Sequence, residues 1–139
     1  MAEQAIDFRS DLLIPPSLEI KAAMIQAMEA PPEFELRGEP LQIALEKQVA
    51  QLLGQQDSLL FPTCSMANEA AIIAHCRPGD AVIAEQQAHV ITSETGAPGG
   101  LAGVIVVGLP GSRGLPQFDT VERLVNAPES VSAPRIKLM

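Results

Sequence analysis

Apolar side chains recur at spacings of three and four residues in two stretches of the first third of the chain. The first stretch follows Ser17, which can cap a helix N-terminus, and it stops at Pro31. The second begins at Pro40 and closes at Gly54, which is the order in which proline and glycine bound a helix. We therefore expect two amphipathic helices within these limits.

Further along the chain, short apolar runs alternate with helical patterns. A continuous apolar run predicts a strand that is buried on both faces. The predicted strands are 59–61, 81–84, 104–109 and 135–139, and the predicted helices between them are 66–75, about 92–96 and 120–126. This alternation is typical of a three-layer α/β fold with a mainly parallel sheet and helices on both faces.

The predicted sheet is incomplete, because its last run opens a strand whose neighbours would have to follow in sequence. We therefore expect this chain to be the first part of a larger α/β domain, or a shortened relative of one. Residues 1–17 are expected to form an N-terminal segment and residues 18–139 the α/β portion. A second domain is not expected, since no linker, repeat or low-complexity segment divides the chain.

Composition narrows the classes of partner. The formal net charge of −8, with only four Phe and no Tyr or Trp, disfavours binding to nucleic acid or to an anionic membrane. Neither an apolar run of membrane-spanning length nor a secretory signal pattern is present, so a cytoplasmic location is the expectation.

The cysteines and histidines do not have the spacing of a zinc site. Cys64 and Cys76 fall at opposite ends of one predicted helix, about 18 Å apart at the usual rise per residue, so they cannot bridge each other. With His75 and His89 they form no paired ligand pattern. We expect free thiols and no bound metal.

Small polar residues connect the strand predicted at 59–61 to the helix predicted at 66–75. Backbone N–H groups in the first helical turn, together with the helix dipole, form a site for an anion such as phosphate. Ser65 can cap this helix and lend its hydroxyl, although a helix cap alone is the plainer interpretation. By contrast, Gly108, Gly111 and Gly114 are flanked by prolines and indicate a turn-rich loop rather than a dinucleotide site.

Five ordered segments share a pattern with one known family. They are 6–11 (IDFRSD), 45–54, 62–68 (PTCSMAN), 75–80 (HCRPGD) and 88–103. Together they resemble the threonine aldolase and β-eliminating lyase family of pyridoxal-phosphate enzymes, which have the aspartate aminotransferase fold. The resemblance implies the N-terminal part of the large domain of such a pyridoxal-phosphate-dependent enzyme.

The resemblance implies roles for individual residues. Cys64 and Ser65 match the family's Gly-Thr pair, which binds the phosphate of pyridoxal 5'-phosphate; Cys64 replaces the glycine and adds a side chain beside the anion. His89 matches the imidazole that stacks on the cofactor ring and moves protons, and its chemistry suits that role. Glu94 matches an acidic residue that orients the imidazole or a water, or it is merely a charge at a helix start. Ser10 matches a contact to the substrate carboxylate.

The activity implied by the resemblance is cleavage of the Cα–Cβ bond of a β-hydroxy amino acid to glycine and an aldehyde. Lys21, Lys47 and Lys137 lie in contexts unlike the family's Schiff-base lysine, so little turnover is expected from the 139 residues alone. The alternatives are a non-catalytic fragment or subunit that associates with a full-length homologue, or a β-eliminating amino acid lyase. Because enzymes of this fold place their sites at dimer interfaces, a homo-oligomer or association with a longer homologue is expected.

Overall fold

The computed structural model describes residues 10, 13–31, 38–128 and 130–139. They fall into two compact units, residues 1–58 and residues 59–139. The boundaries expected from the sequence, 1–17 and 18–139 within one domain, stay a prediction.

The first unit contains the two predicted helices, α1 (Leu18–Glu29) and α2 (Pro40–Leu53). The Ser17 hydroxyl caps α1 by accepting a hydrogen bond from the backbone N–H of Ile20 at 3.3 Å. Gly54 ends α2 in a left-handed conformation, with φ of 64°, that a residue with a side chain adopts less readily. Both helices therefore begin and end where their capping residues predict.

The second unit begins with an irregular stretch, which is followed by helix α3 (Cys64–His75). The predicted strand at 59–61 is wrong: these residues form no regular element, and Leu59 and Leu60 are 66% and 50% exposed. A short apolar run does not by itself guarantee burial, which a central strand requires. Helix α3 starts two residues earlier than predicted because Thr63, rather than Ser65, is its N-cap.

The remaining elements alternate as the sequence predicts. In chain order they are β1 (Ala81–Glu85), α4 (His89–Thr92), a π-helical turn (Pro98–Ala102), β2 (Ile105–Leu109), β3 (Gly111–Ser112), β4 (Leu115–Pro116), α5 (Phe118–Val125) and β5 (Ile136–Leu138). Strands β2, β1 and β5 form a parallel sheet in that order, with Ala81 paired to Ile105 on one side and Ile136 on the other. The predicted parallel α/β sheet is confirmed.

The two faces of the sheet bury different residues of the central strand. Val82 packs with Ile72 of α3 and with the π-helical turn, whereas Ile83 packs with Leu109 and with Val121 of α5. Successive side chains of a strand point to opposite faces, so α3 and α5 cover opposite sides of the sheet. This is the predicted three-layer arrangement.

Two local details differ from or refine the sequence expectations. The helix expected near 92–96 is instead α4, which starts at His89, followed by the π-helical turn. The glycine-containing loop after β2 forms the β3–β4 hairpin, with Arg113 and Gly114 at positive φ in its turn. The expectation of a turn-rich loop there is confirmed.

Asp80 closes the turn before β1 and ties it to Arg135, the residue that precedes the neighbouring strand β5. Its Oδ2 accepts the backbone N–H of Arg77 at 2.8 Å, and the Arg135 guanidinium donates to both carboxylate oxygens at 3.0–3.3 Å. The bond from Arg77 lowers the pKa of Asp80, and Arg135 adds to this effect against the opposing influence of burial. The 75–80 segment therefore positions the start of β1.

Both thiols are free, with Cys64 at the first position of α3 and Cys76 at its C-cap. Among the helices that the structure describes, none has the length and apolar character needed to cross a membrane.

Candidate functional site

The candidate site lies past the carboxyl end of the central strand. Strand β1 ends at Glu85, whose carbonyl accepts the backbone N–H of Ala88, and the next residue, His89, is the first of α4. Val90 packs on the sheet face that α3 covers. In open parallel sheets, ligands bind beyond the carboxyl ends of the strands, and His89 lies in this region.

Glu94 connects His89 to α3. Its Oε1 lies 2.9 Å from His89 Nδ1 and accepts a hydrogen bond of 2.7 Å from Asn68 Nδ2. Asn68 is 26 residues from Glu94 in sequence and lies in the second turn of α3. One carboxylate oxygen therefore joins the imidazole to the helix whose N-terminus was predicted to bind phosphate.

A turn with two positive φ angles follows Glu94. Thr95 and Gly96 both have positive φ, 49° and 79°, and the Ala97 N–H closes the turn on the Glu94 carbonyl at 2.9 Å. Positive φ is unusual for a β-branched residue such as Thr95, and such strain collects at functional sites. The turn leads from the histidine into the π-helical turn.

The electrostatics of this pair fix the form of the imidazole. The Glu94 side chain is fully buried, while that of His89 is 53% exposed. Burial raises the pKa of Glu94, but the hydrogen bonds from His89 and Asn68 outweigh it, so that the pKa falls below the ordinary 4.5. An ionised carboxylate only accepts, so the neutral imidazole carries its proton on Nδ1 and keeps the lone pair on Nε2.

The N-terminus of α3 presents hydrogen-bond donors that have no partner among the described residues. The Thr63 hydroxyl caps the helix by accepting the backbone N–H of Met66 at 3.1 Å, which leaves the Ser65 hydroxyl out of the cap. Within the described residues, nothing accepts from the backbone N–H of Cys64 or Ser65 or pairs with the Ser65 hydroxyl. These are the donors that a phosphate needs at a helix N-terminus.

Cys64 fits this end of the helix without backbone strain. The family that the sequence resembles has a glycine at this position, and a residue with a side chain could require a different backbone angle. Cys64 begins α3 and is not among the residues with positive φ, and its side chain is exposed. The thiol therefore does not fill the helix end, and the residues present fit a phosphate ester.

Helical spacing relates the two halves of the candidate site. Cys64 and Asn68 are four residues apart in α3, as are Ser65 and Glu69, and residues at this spacing are neighbours on a helix surface. Asn68 is thus one turn from the free donors and is also bonded to the carboxylate that holds His89.

Ser10 belongs to the first unit, where it is half-buried and its carbonyl accepts the backbone N–H of Leu13 at 3.3 Å. The rest of the 6–11 segment lies outside the described residues. The substrate-binding role of Ser10 stays a prediction.

Sequence reasoning missed three contributors to this site. Thr63 was not identified as the cap of α3, and neither Asn68 nor Glu69 was singled out. A signal for Glu69 was present, since it is the one acidic or basic residue in α3 apart from His75 at its end. The bond from Asn68 to Glu94 had no local signal, because it depends on the packing of distant segments.

Comparison with known proteins agrees with the sequence resemblance. The model of the beta-eliminating lyase family matches residues 7–139, which is nearly the whole chain. The low specificity L-threonine aldolase of Escherichia coli strain K12 is 36% identical over 93 residues, covering 66% of this chain and 27% of that protein. The probable low-specificity L-threonine aldolase 2 of Arabidopsis thaliana is 30% identical over 102 residues, covering 73% of this chain and 28% of that protein.

A solved structure supports the fold. The crystal structure of a proposed L-allo-threonine aldolase from Listeria monocytogenes EGD-E superposes with a TM-score of 0.60 at 20% identity, covering 85% of this chain and 33% of that one. The chain thus spans between a quarter and a third of the length of these relatives. The match of the family model over residues 7–139 shows that the chain belongs to the beta-eliminating lyase family.

Proposed function

We propose that residues 63–68 and 89–94 form part of the pyridoxal 5'-phosphate site of a lyase of the threonine aldolase type. Its reaction is cleavage of the Cα–Cβ bond of a β-hydroxy amino acid to give glycine and an aldehyde. The observation that carries the proposal is the hydrogen-bonded chain from Asn68 through Glu94 to His89. It links a half-exposed imidazole to a helix N-terminus whose first N–H groups have no acceptor among the described residues. The names of the relatives favour aldol cleavage over β-elimination, which is the second candidate.

In this proposal the N-terminus of α3 binds the phosphate. The backbone N–H groups of Cys64 and Ser65 and the Ser65 hydroxyl donate to its oxygens, and the positive end of the helix dipole adds to the attraction. A net charge of −8 makes such local donors necessary, because the chain as a whole repels an anion.

His89 is proposed to cover the cofactor ring and to exchange a proton through Nε2. Glu94 holds Nδ1 and thereby prevents the ring from rotating, while about half of the side chain stays exposed for contact with a planar ligand. When bound, pyridoxal phosphate supplies the electron sink that bond cleavage next to an amino-bearing carbon requires. The residues described here contribute binding, orientation and a basic nitrogen.

Variants of Ser65 test the phosphate assignment. We expect Ser65→Ala to weaken binding of pyridoxine 5'-phosphate roughly tenfold to a hundredfold, because a hydrogen bond to a charged group contributes about 1.5–3 kcal/mol. Ser65→Thr keeps the hydroxyl and is the matched control, with affinity close to that of the unsubstituted chain. Titrations followed by phosphorus NMR measure both, and this ligand has no aldehyde with which to react at Lys21, Lys47 or Lys137.

Equal affinities for Ser65→Ala and Ser65→Thr would contradict a role for the hydroxyl. If pyridoxine 5'-phosphate bound no more strongly than pyridoxine, both the phosphate site and the proposed function would be contradicted.

A further inference from the structure

Glu69 is a buried carboxyl group in the middle of α3. Only 6% of the residue is exposed, and it follows Asn68, which binds Glu94. In the part of the chain that the structure describes, neither carboxyl oxygen of Glu69 has a hydrogen-bond partner. A buried ionised carboxylate without a donor is strongly disfavoured, so the arrangement requires either a donor or a proton.

The carboxyl group of Glu94 also has an oxygen without a hydrogen-bond donor among the described residues. It is 4% exposed, and its Oε1 accepts from both Asn68 and His89, whereas its Oε2 is buried and has no donor among the described residues. Two ionised carboxylates repel each other and cannot share a hydrogen bond, but a carboxylic acid donates to a carboxylate. A single proton therefore pairs one of the two unpartnered Glu69 oxygens with Glu94 Oε2, and it removes the charge from the other Glu69 oxygen.

The environment places that proton on Glu69. Burial raises the pKa of Glu69, and the nearby negative charge of Glu94 raises it further. For Glu94, burial is outweighed by the hydrogen bonds from His89 and Asn68, which lower its pKa. Within the described residues, His89 is the other titratable group that acts on this pair.

We propose that the Glu69 side chain is a carboxylic acid whose O–H donates a hydrogen bond to Glu94 Oε2, which makes Glu69 a positioning residue for His89. This bond fixes the rotation of the Glu94 carboxylate, so that Oε1 stays directed at Asn68 and at His89 Nδ1. The meaning of this role for catalysis rests on the proposed function, whereas the protonation state and the positioning do not.

A carbon-13 NMR titration of the glutamate carboxyl groups tests the proposal directly. We expect the Glu69 signal to titrate with a midpoint above 4.5 and the Glu94 signal with a midpoint below 4.5. Because the two groups are coupled, the two steps are measured on both signals and fitted together. A Glu69 midpoint at or below 4.5 would overturn the proposal.

Two variants of Glu69 distinguish the effect of its hydrogen-bond donor from the effect of its side-chain volume. Glu69→Gln retains a donor to Glu94 Oε2, and we expect the Glu94 midpoint to stay below 4.5 and the His89 nitrogen-15 shifts to keep the Nδ1–H form. Glu69→Met is apolar and of similar length. In it the Glu94 midpoint is expected to rise, because burial persists while one lowering hydrogen bond is lost, and the Nδ1–H population of His89 is expected to fall.

Identical Glu94 midpoints and His89 shifts in the two variants would contradict a positioning role. Amide spectra show whether each variant folds; if Glu69→Met does not, the titration of the unsubstituted chain and of Glu69→Gln decides the question. None of these readouts uses the cofactor. A chain that shows the expected titrations but does not bind pyridoxine 5'-phosphate would refute the proposed function and leave this inference standing.

Discussion

Ile83→Ala is expected to lower the free energy of unfolding by about 2–5 kcal/mol, the range for truncating a large buried aliphatic side chain. Ile83 is 1% exposed in the central strand and packs against Leu109 and Val121. A cavity of about 880 Å³ borders Ile83 on this face of the sheet, which gives the surroundings room to relax. We therefore expect a value towards the lower end of the range.

Urea denaturation followed by circular dichroism measures this effect, with Ile83→Val as the matched control. The control keeps the branched side chain and is expected to cost about 0.5–1.5 kcal/mol. A change below about 0.5 kcal/mol for Ile83→Ala, which is typical of surface substitutions, would show that β1 is not the centre of the fold. Because β1 ends at Glu85, shortly before His89, the expected loss of stability would also show that the candidate site is attached to the core.

Glu94→Leu is expected to release His89 from α3. The substitution removes the oxygen that accepts from both Asn68 and His89, and it leaves the Asn68 amide part-buried without that partner. The expected cost in unfolding free energy is about 1–3 kcal/mol, as for other buried polar groups that lose their partner. We also expect the neutral His89 ring to lose its preference for the Nδ1–H form.

Nitrogen-15 NMR of His89 measures the tautomer, and Glu94→Gln is the control. Glutamine keeps an oxygen at the Oε1 position but not the charge, so it is expected to hold the Nδ1–H form and most of the stability. If Glu94→Leu left the His89 tautomer unchanged, the carboxylate would not be what orients the imidazole.

Local sequence signals predicted much of this fold because their physical causes are local. Pro40 and Gly54 bound α2 through backbone conformation alone, and the apolar run after Asp80 formed the central strand as expected. The run at 59–61 looks the same in sequence, yet Leu59 and Leu60 are largely exposed. Burial is a property of the neighbours that a segment acquires, and a local pattern does not contain them.

The candidate site likewise combines residues that local sequence signals predicted with contacts that depend on distant segments. His89 and Glu94 are five residues apart, and the ordered motif that contains both predicts that they share one site. The contact between Glu94 and Asn68 spans 26 residues and had no sequence signal of its own. The proton proposed for Glu69 arises from the burial of two carboxyl groups together, which only the packed structure reveals. The cofactor roles of Cys64 and Ser65 stay predictions.

The account depends on one site that joins the N-terminus of α3 to His89, and mapping the binding of pyridoxine 5'-phosphate by NMR tests it most directly. We expect saturable shifts at the backbone amides of Cys64 and Ser65, with the His89 ring signals following the same binding curve. Pyridoxine, which lacks the phosphate, is expected to leave the two amides unchanged. Shifts that bypass these amides, or a His89 ring that does not respond while they do, would contradict the account.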